Sequence, residues 1–314
     1  MDESESRNHR MSNHEYLLKE RLSKVRAYQS AIASGTCSGK IVLDLSNSDF
    51  YTIFAIRAYA SKCYTLVSPS KRQTVQKFLE DNKCLINKNV FLIGDISEVK
   101  ERVDVIIHDW SDNQVFSISN LIDLLVARDR CLAINGQLIP SEVKLEISAV
   151  SDASLISDEH QRWDFTKYRL DYDHIAKVSL GTNVLWGHLP TAEVTKKALL
   201  WHLVPIHMSL QELLQYRSPF FLEVSQDCKI HGIAVNLEVR FTARTRYRTC
   251  HQINPWTFVL SEPLQVQQGD LLQGMFSLST RVKRVKLEME TKIKLRNVVS
   301  KLLVSEILKY DVMN

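Results

Sequence analysis

Short apolar segments alternate with amphipathic segments over the first 140 residues of this 314-residue chain, and this alternation constrains the fold more than any other feature. The apolar segments are continuous and rich in β-branched residues, which is typical of strands buried on both faces of a parallel sheet. The segments between them have helical periodicity. Strands that alternate with helices predict a doubly wound α/β domain.

The pattern begins with an amphipathic helix from His14 to Ile32, where Leu18, Leu22 and Val25 lie on one face. The predicted strands are Lys40 to Leu45, Cys63 to Val67, Asn89 to Ile93, Val103 to Ile107 and, after a turn at Asn135-Gly136, Gln137 to Ile139. The predicted helices between them are Phe54 to Ala60, Gln73 to Leu79 and Asn120 to Arg130. The α/β pattern ends at Pro140.

After Pro140, apolar and polar residues alternate with period two, which predicts antiparallel β structure. The period-two segments are 143–150, 231–241, 256–266, 274–280 and 285–295. Between them, the mixed spacing of Trp163 to Leu203 favours helices or an extension over barrel strands. We therefore predict a helical segment over 1–35, an α/β domain over 36–141 and a β domain over 142–314.

Composition excludes several classes of protein. The chain has 40 Lys+Arg and 36 Asp+Glu, and a formal net charge of +4 is too weak to indicate a nucleic-acid partner. Its longest apolar stretch, Asn120 to Ala127, is too short to cross a membrane, and the polar N-terminus has no signal-peptide core. We expect a cytoplasmic or nuclear protein. The six cysteines form no C-x-x-C pair, so we expect no metal site.

The first strand ends at Asp44, and doubly wound folds bind nucleotide-like ligands at the turn that follows. This turn usually contains glycines, because the backbone must approach the ligand closely. Here it reads Leu45-Ser46-Asn47-Ser48-Asp49-Phe50. Ser, Asn and Asp tolerate tight turns, but Phe50 is expected to place bulk where the helix packs. The second strand is followed by Ser68-Pro69, with no carboxylate for ribose hydroxyls.

Several segments, in order along nearly the whole chain, resemble those of the protein arginine methyltransferase family. KIVLDL (40–45) and its turn resemble the family's V-L-D-x-G-x-G-x-G signature. The other similar segments are VDVIIHDW (103–110), VARDR (126–130), CLAINGQLIPS (131–141), WDFTKYRLDYDHI (163–175), RSPFFLEV (217–224), HGIAVNLEVRF (231–241) and FVLSEPLQVQQGDLLQG (258–274).

The resemblance implies a class I, Rossmann-like S-adenosylmethionine-dependent methyltransferase domain followed by a C-terminal β-barrel, with a helical dimerisation arm at about 163–203. It implies S-adenosylmethionine as cofactor and methyl transfer to a guanidino nitrogen of protein arginine. The implied partners are a second copy of the chain or a related methyltransferase. Histones or Arg-Gly-rich proteins are the substrates expected of an active member.

Most of the family's cofactor contacts fall on altered residues, although the acid that ends the first strand is retained. In chain order, the corresponding positions are Ser4, Glu5 and Asn8 for an aromatic lid, Ser23 for an arginine, Asp44 for the strand-end acid, Ser46, Ser48 and Phe50 for three glycines, Val67 or Ser68 for the ribose-binding acid, and Ile96, Ser97 and Glu98 for adenine contacts. In addition, Asp49 places an anion near the turn.

The family's two catalytic glutamates fall on Asp109 and Ile118, so one carboxylate remains. Two acids align a substrate guanidinium and localise its charge, whereas Ile118 offers no acceptor for its N–H groups. The loop between these positions contains Ser111-Asp112-Asn113 where the family has Met-Gly-Tyr. The family's Thr-His-Trp histidine corresponds to His251 if one residue is inserted, and to Gln252 otherwise.

Two hypotheses follow. The first is a family member with degenerate cofactor and acidic-loop motifs, weak or inactive in catalysis, that acts by binding or dimerisation. The alternative is an active, divergent arginine methyltransferase in which Asp109 is the surviving substrate carboxylate. Nucleic-acid methylation does not fit, because His108-Asp109-Trp110-Ser111 replaces the Pro-rich acidic motif that such enzymes place after strand four.

Overall fold

The structure is a computed structural model that describes residues 13–46, 49–109, 118–162, 164–172, 174–175, 184–186, 192–214, 217–241, 250–281, 284–294 and 306–312. Its first half is a five-stranded sheet with all neighbouring strands parallel, in the order β3-β2-β1-β4-β5. The strands are β1 (Ile41–Asp44), β2 (Lys62–Leu66), β3 (Val90–Ile93), β4 (Val103–Ile107) and β5 (Leu132–Ile139). The helices are α1 (Asn13–Ala31), α2 (Asp49–Arg57), α3 (Arg72–Asp81) and α4 (Ile118–Cys131).

This half confirms the predicted doubly wound α/β fold. Its central strands are buried because their side chains are apolar on both faces: Val42, Leu43, Val105 and Ile106 are each 0% exposed. Two short 3₁₀ turns, Pro69–Lys71 and Ile96–Glu98, lie in its connections, and a π-helical turn, Ile32–Thr36, follows α1.

Two local predictions in this half are wrong. Helix α2 begins at Asp49, directly after the first turn, rather than at Phe54. The segment Asn135-Gly136 lies inside β5 instead of preceding it, and it forms an irregularity in the strand. The register there jumps from Val103↔Leu132 to Val105↔Gln137, so β5 carries extra residues at this point.

The second half is antiparallel, as the period-two pattern predicts, and consists of two sheets ordered β7-β11-β10-β6-β8 and β14-β13-β12-β9. The strands are β6 (Glu142–Val150), β7 (Val184–Trp186), β8 (Ala198–Leu203), β9 (Arg217–Glu223), β10 (Cys228–Arg240), β11 (Cys250–Val266), β12 (Leu271–Arg281), β13 (Arg284–Lys294) and β14 (Glu306–Val312). Two short helices, α5 (Ser154–Arg162) and α6 (Leu210–Leu214), lie in the connections.

The mixed spacing of Trp163 to Leu203 favoured helices or an extension over barrel strands, and this prediction is wrong at the C-terminal end of the segment. Its last residues, Ala198–Leu203, form β8, which pairs antiparallel with β6. Leu200, Trp201 and Leu203 are buried, and an irregular register between β6 and β8 breaks strict alternation. Val184–Trp186 is also a strand, paired with β11, while residues 173, 176–183 and 187–191 lie outside the described residues.

One face of the sheet that contains β10 joins the main core through Ile147, Val235 and Leu237. The other face packs under α5, where Leu155 contacts a small cluster with Ala234. None of the described helices is both long and apolar enough to span a membrane.

Gly232 lies where β10 passes beneath α5, and the structure leaves no room there for a side chain. A Cβ would lie 2.8 Å from the carbonyl oxygen of Phe258 and 3.3 Å from Leu155 Cδ1. Because the nearest atom belongs to the backbone of a paired strand, it cannot move aside cheaply. We expect Gly232→Ala to lower the free energy of unfolding by about 1–3 kcal/mol in urea titrations.

Gly94→Ala is the matched control, since its Cβ would meet only a flexible side-chain atom, Glu98 Oε1, at 3.3 Å. We expect that variant to change the free energy of unfolding by less than about 1 kcal/mol. Equal effects of the two substitutions would show that the contact at Gly232 does not limit packing.

Candidate functional site

The candidate site is the carboxyl edge of the parallel sheet, where strand order reverses between β1 and β4. These strands are neighbours, with Asp44 opposite Ile107, and the backbone N–H of Leu45 donates to the carbonyl oxygen of Ile107 at 2.8 Å. Doubly wound folds bind ligands in the crevice at this point. The residues that leave the two strands, Asp44 to Ser46 on one side and His108 to Asp109 on the other, therefore define the site.

Asp44 is buried, and both of its carboxylate oxygens accept hydrogen bonds from its own chain. Oδ1 accepts from the backbone N–H of Ser46 at 2.9 Å and from its hydroxyl at 2.5 Å. Oδ2 accepts from the hydroxyl of Thr52, in the first turn of α2, at 2.7 Å. Burial raises the pKa of Asp44 to about 6, against the opposing effect of the hydrogen bonds from Ser46 and Thr52.

The first turn therefore closes on itself. Ser46, at a position of a family glycine, is buried and directs its hydroxyl to Asp44. Ser48 and Asn47 lie outside the described residues. Phe50, which was expected to place bulk where the helix packs, is 43% exposed, and its ring lies 6.0 Å from that of Phe78 on α3.

The residue after β2 is not a carboxylate, and the carboxylates after β3 accept hydrogen bonds from their own turn. Val67, which follows β2, is a buried apolar residue, and Ser68 precedes Pro69 in a 3₁₀ turn. After β3, Ile96, Ser97 and Glu98 form a second 3₁₀ turn. Glu98 Oε1 accepts from the backbone N–H groups of Gly94 and Asp95 at 2.8 and 3.0 Å, while Asp95 accepts from the N–H of Ser97. Asp95 and Glu98 thus stabilise this turn as a capping box.

Asp109, the remaining family carboxylate, is buried and paired with a cation of the same chain. Lys24 Nζ, on α1, lies 3.0 Å from Asp109 Oδ2, and the two side chains are 16% and 9% exposed. The resemblance to the family placed its arginine position on Ser23, one residue before Lys24, and so did not identify this cation. No local signal in α1 distinguishes Lys24, whose partner lies 85 residues away.

Tyr28, one helical turn after Lys24, is a second residue that sequence reasoning missed. Its hydroxyl donates to the carbonyl oxygen of His108 at 2.7 Å and lies 3.5 Å from Asp109 Oδ1. Its ring stacks on Tyr51 of α2 at 4.1 Å and meets Phe241, at the end of β10, edge-on at 4.6 Å. Tyr28 therefore joins α1, α2, the end of β4 and the antiparallel half at the site.

For the other predicted catalytic positions, Ile118 and His251, the structure describes the backbone. Ile118 is the first residue of α4, and the preceding residues 110–117, with Ser111-Asp112-Asn113, lie outside the described residues. His251 lies in β11, opposite Val239 of β10, and β11 contacts α1. The segment with Ser4, Glu5 and Asn8 is also outside the described part of the chain.

The residues present do not fit S-adenosylmethionine in the way that the resemblance implies. Ser46 has a side chain at a position of a family glycine, and Asp44 and Glu98 already accept internal hydrogen bonds. The ribose-binding acid is replaced by Val67 or Ser68. Within the described ranges, no group of three or more His, Cys, Asp and Glu side chains could hold a metal ion.

A cavity of ≈ 840 Å³ lies elsewhere, in the antiparallel half. Trp201, His207, Met208 and Arg217 line it, together with Glu212. Glu212 accepts from the backbone N–H and hydroxyl of Ser209, so its carboxylate caps α6. The cavity contains none of the residues that the family resemblance assigns to cofactor or substrate.

The pKa of Asp44 predicts a pH dependence of stability. Folding raises this pKa from 3.8 to about 6, so the folded chain binds the proton more tightly than the unfolded chain. Its contribution to stability is present below pH 3.8 and is lost as the pH rises to about 6, which corresponds to about 3 kcal/mol. Asp44→Asn, which keeps the shape but cannot ionise, should remove this loss.

Urea unfolding between pH 4.5 and 7.5 measures the effect as the difference between the wild type and the variant. Asp95→Asn is the control, because the hydrogen bonds from Ser97 lower the pKa of Asp95 and its contribution changes only below that range. Identical slopes for the wild type and Asp44→Asn would show that Asp44 remains ionised throughout.

Comparisons with known proteins find similarity to arginine methyltransferases. No family model matches it. It is 27% identical over 282 residues to protein arginine N-methyltransferase 1 of Caenorhabditis elegans. The aligned segment covers 85% of this chain and 80% of the relative. It is 25% identical over 296 residues to protein arginine N-methyltransferase 1 of Dictyostelium discoideum, covering 88% and 85%.

Among solved structures, it is similar to a chain of the Trypanosoma brucei PRMT1 enzyme-prozyme heterotetrameric complex with AdoHcy. The TM-score is 0.73 at 19% identity, over 96% of each chain, which agrees in fold along nearly the full length. The sequence relatives and the order of elements, a parallel sheet followed by antiparallel sheets, lead to the same conclusion. In sequence and in fold, the chain is similar to protein arginine N-methyltransferases.

Proposed function

We propose that this protein acts by binding and assembly with an active arginine methyltransferase rather than by transferring methyl groups itself. One observation carries the proposal: the carboxylates that follow the two central strands β1 and β4 are both paired inside the chain. Asp44 holds Ser46 and Thr52, and Asp109 holds Lys24.

The chemistry of the family reaction explains why this matters. A guanidinium ion needs carboxylate acceptors that align its planar fork and hold its charge while one nitrogen attacks the methyl group. Asp109 already has a cation within 3.0 Å, and a second cation would have to displace Lys24. Ile118 supplies no acceptor, so guanidinium N–H groups beside it would lose their hydrogen bonds to water.

An assembled partner is supported by the kind of complex in which the Trypanosoma brucei neighbour was solved, an enzyme-prozyme heterotetramer. The segment that resembles the family's dimerisation arm also exposes apolar side chains. Tyr168, Leu170 and Ile175 are 62%, 47% and 43% exposed. A partner that covers them would gain apolar burial, and a related methyltransferase is favoured over a second identical copy because it supplies the missing catalytic groups.

Catalysis is tested on the purified protein alone. We expect no transfer of radiolabelled methyl from S-adenosylmethionine to histones or an Arg-Gly-rich protein. We also expect no thermal shift with S-adenosylmethionine or its demethylated product, whereas a ligand at 100 times its Kd would stabilise by about 2.7 kcal/mol. An active relative provides the positive control in both assays.

The opposite result would favour the alternative function, a divergent active enzyme. In that case Asp109→Asn should abolish methyl transfer, because it removes the charge that holds the guanidinium. Methyl transfer that survives Asp109→Asn would come from a contaminating enzyme.

Assembly is tested by co-purification with an active arginine methyltransferase from the same organism. Replacing Tyr168, Leu170 and Ile175 together by Ser should release the relative without unfolding the chain, since all three side chains are exposed. Ile134→Ser is the matched control, because Ile134 is a fully exposed apolar residue on β5, outside this segment. Retention of the relative by the triple variant would contradict an interface at the arm.

A further inference from the structure

The hydrogen bonds of Asp44 extend beyond the first turn into a short chain of hydroxyl groups. Asp44 Oδ2 accepts from Thr52 Oγ1 at 2.7 Å, and Thr52 Oγ1 lies 2.8 Å from Thr65 Oγ1 on β2. The three side chains are 1%, 0% and 4% exposed. The chain therefore links the end of β1, the first turn of α2 and β2 in a space closed to water.

The geometry permits two directions for the protons in this chain. When Asp44 is ionised, Thr52 donates to the carboxylate and can accept from Thr65. When Asp44 is neutral with its proton on Oδ2, it donates to Thr52, which then donates to Thr65. Either hydroxyl can be the donor in the Thr52–Thr65 contact, so both arrangements satisfy the hydrogen of Thr52.

We propose that Asp44, Thr52 and Thr65 form a reversible hydrogen-bond chain that stores a proton at the end of β1, so that the carboxyl edge changes charge without losing the first turn. The bonds from Ser46 to Oδ1 are compatible with both states, because Oδ1 remains an acceptor when the proton is on Oδ2. This inference is independent of the proposed function.

Among the described residues, two thiols lie close enough to Asp44 for its charge to raise their pKa values. Cys63, on β2, lies 3.9 Å from Thr52 Oγ1 through its Sγ and 4.0 Å from Thr65 Oγ1, and Cys37 follows the π-helical turn. Burial raises the pKa of the Cys63 thiol above its ordinary value and that of Cys37 to about 12. Both thiols therefore stay neutral over the range in which Asp44 titrates, and the proton belongs to Asp44.

Two isosteric substitutions separate this chain from simple burial of a carboxyl group. Thr52→Val removes the hydroxyl donor to Oδ2 and keeps the backbone donor of Thr52, so the ionised form loses one hydrogen bond and the pKa of Asp44 should rise. Thr65→Val leaves the hydrogen of Thr52 without an acceptor only in the neutral state, so the pKa of Asp44 should fall. Each substitution should change the pKa of Asp44 by roughly 0.5 or more, the size expected for one hydrogen bond.

The measurement is the ¹³C carboxyl resonance of Asp44 followed by NMR from pH 4 to 8 in the full-length protein, assigned by its loss in Asp44→Asn. Thr52→Ser keeps the hydroxyl and should restore the wild-type titration. Opposite shifts in the two valine variants support the chain. An ordinary titration near 3.8 in the wild type, or a Thr65→Val pKa that is unchanged or raised, overturns it. If Thr52→Val does not fold, the direction in Thr65→Val alone decides.

Discussion

Tyr28 is the contact on which the arrangement of the site depends. Its hydroxyl holds the backbone of His108 after β4, and its ring is packed against Tyr51 of α2 and against Phe241, which follows β10. A buried tyrosine with its hydroxyl satisfied combines a large apolar contact with a directional bond. It fixes α1 over the carboxyl edge, and this position brings Lys24 within reach of Asp109. The N-terminal helix, the parallel sheet and the antiparallel half thus meet at one side chain.

The inward pairing at this edge follows from the loss of glycine in the first turn. A glycine-rich turn leaves its backbone N–H groups open to an anionic or polar ligand. Instead, the backbone N–H and the hydroxyl of Ser46 both donate to Asp44 Oδ1. The hydroxyl of Thr52 donates to Oδ2. A buried carboxylate must be satisfied by hydrogen bonds, so the turn replaces ligand contacts with internal ones. The same requirement accounts for Glu98, which holds the backbone N–H groups of Gly94 and Asp95.

Sequence reasoning predicted the parts of the fold that local patterns control. The buried parallel strands and the long antiparallel strands have clear periodicity, and β4 begins and ends at the predicted residues. It failed for β8, where an irregular register with β6 breaks the alternation of Leu200 and Trp201. It also missed Lys24 and Tyr28, because their partners at the end of β4 lie 80 residues or more along the chain. The direction of Phe50, toward Phe78 and solvent, depends on how α2 packs against α3.

The two carboxylates of the edge differ in how their charge is balanced, and this difference separates their roles. Asp109 pairs with a cation, Lys24, and this contact ties α1 to the end of β4. Asp44 is balanced by hydroxyl and amide dipoles alone, and burial moves its pKa to about 6. The hydrogen bonds from Ser46 and Thr52 favour the ionised form of Asp44, but its burial outweighs them. Burial at the end of β1 therefore makes Asp44 a group whose charge responds to pH.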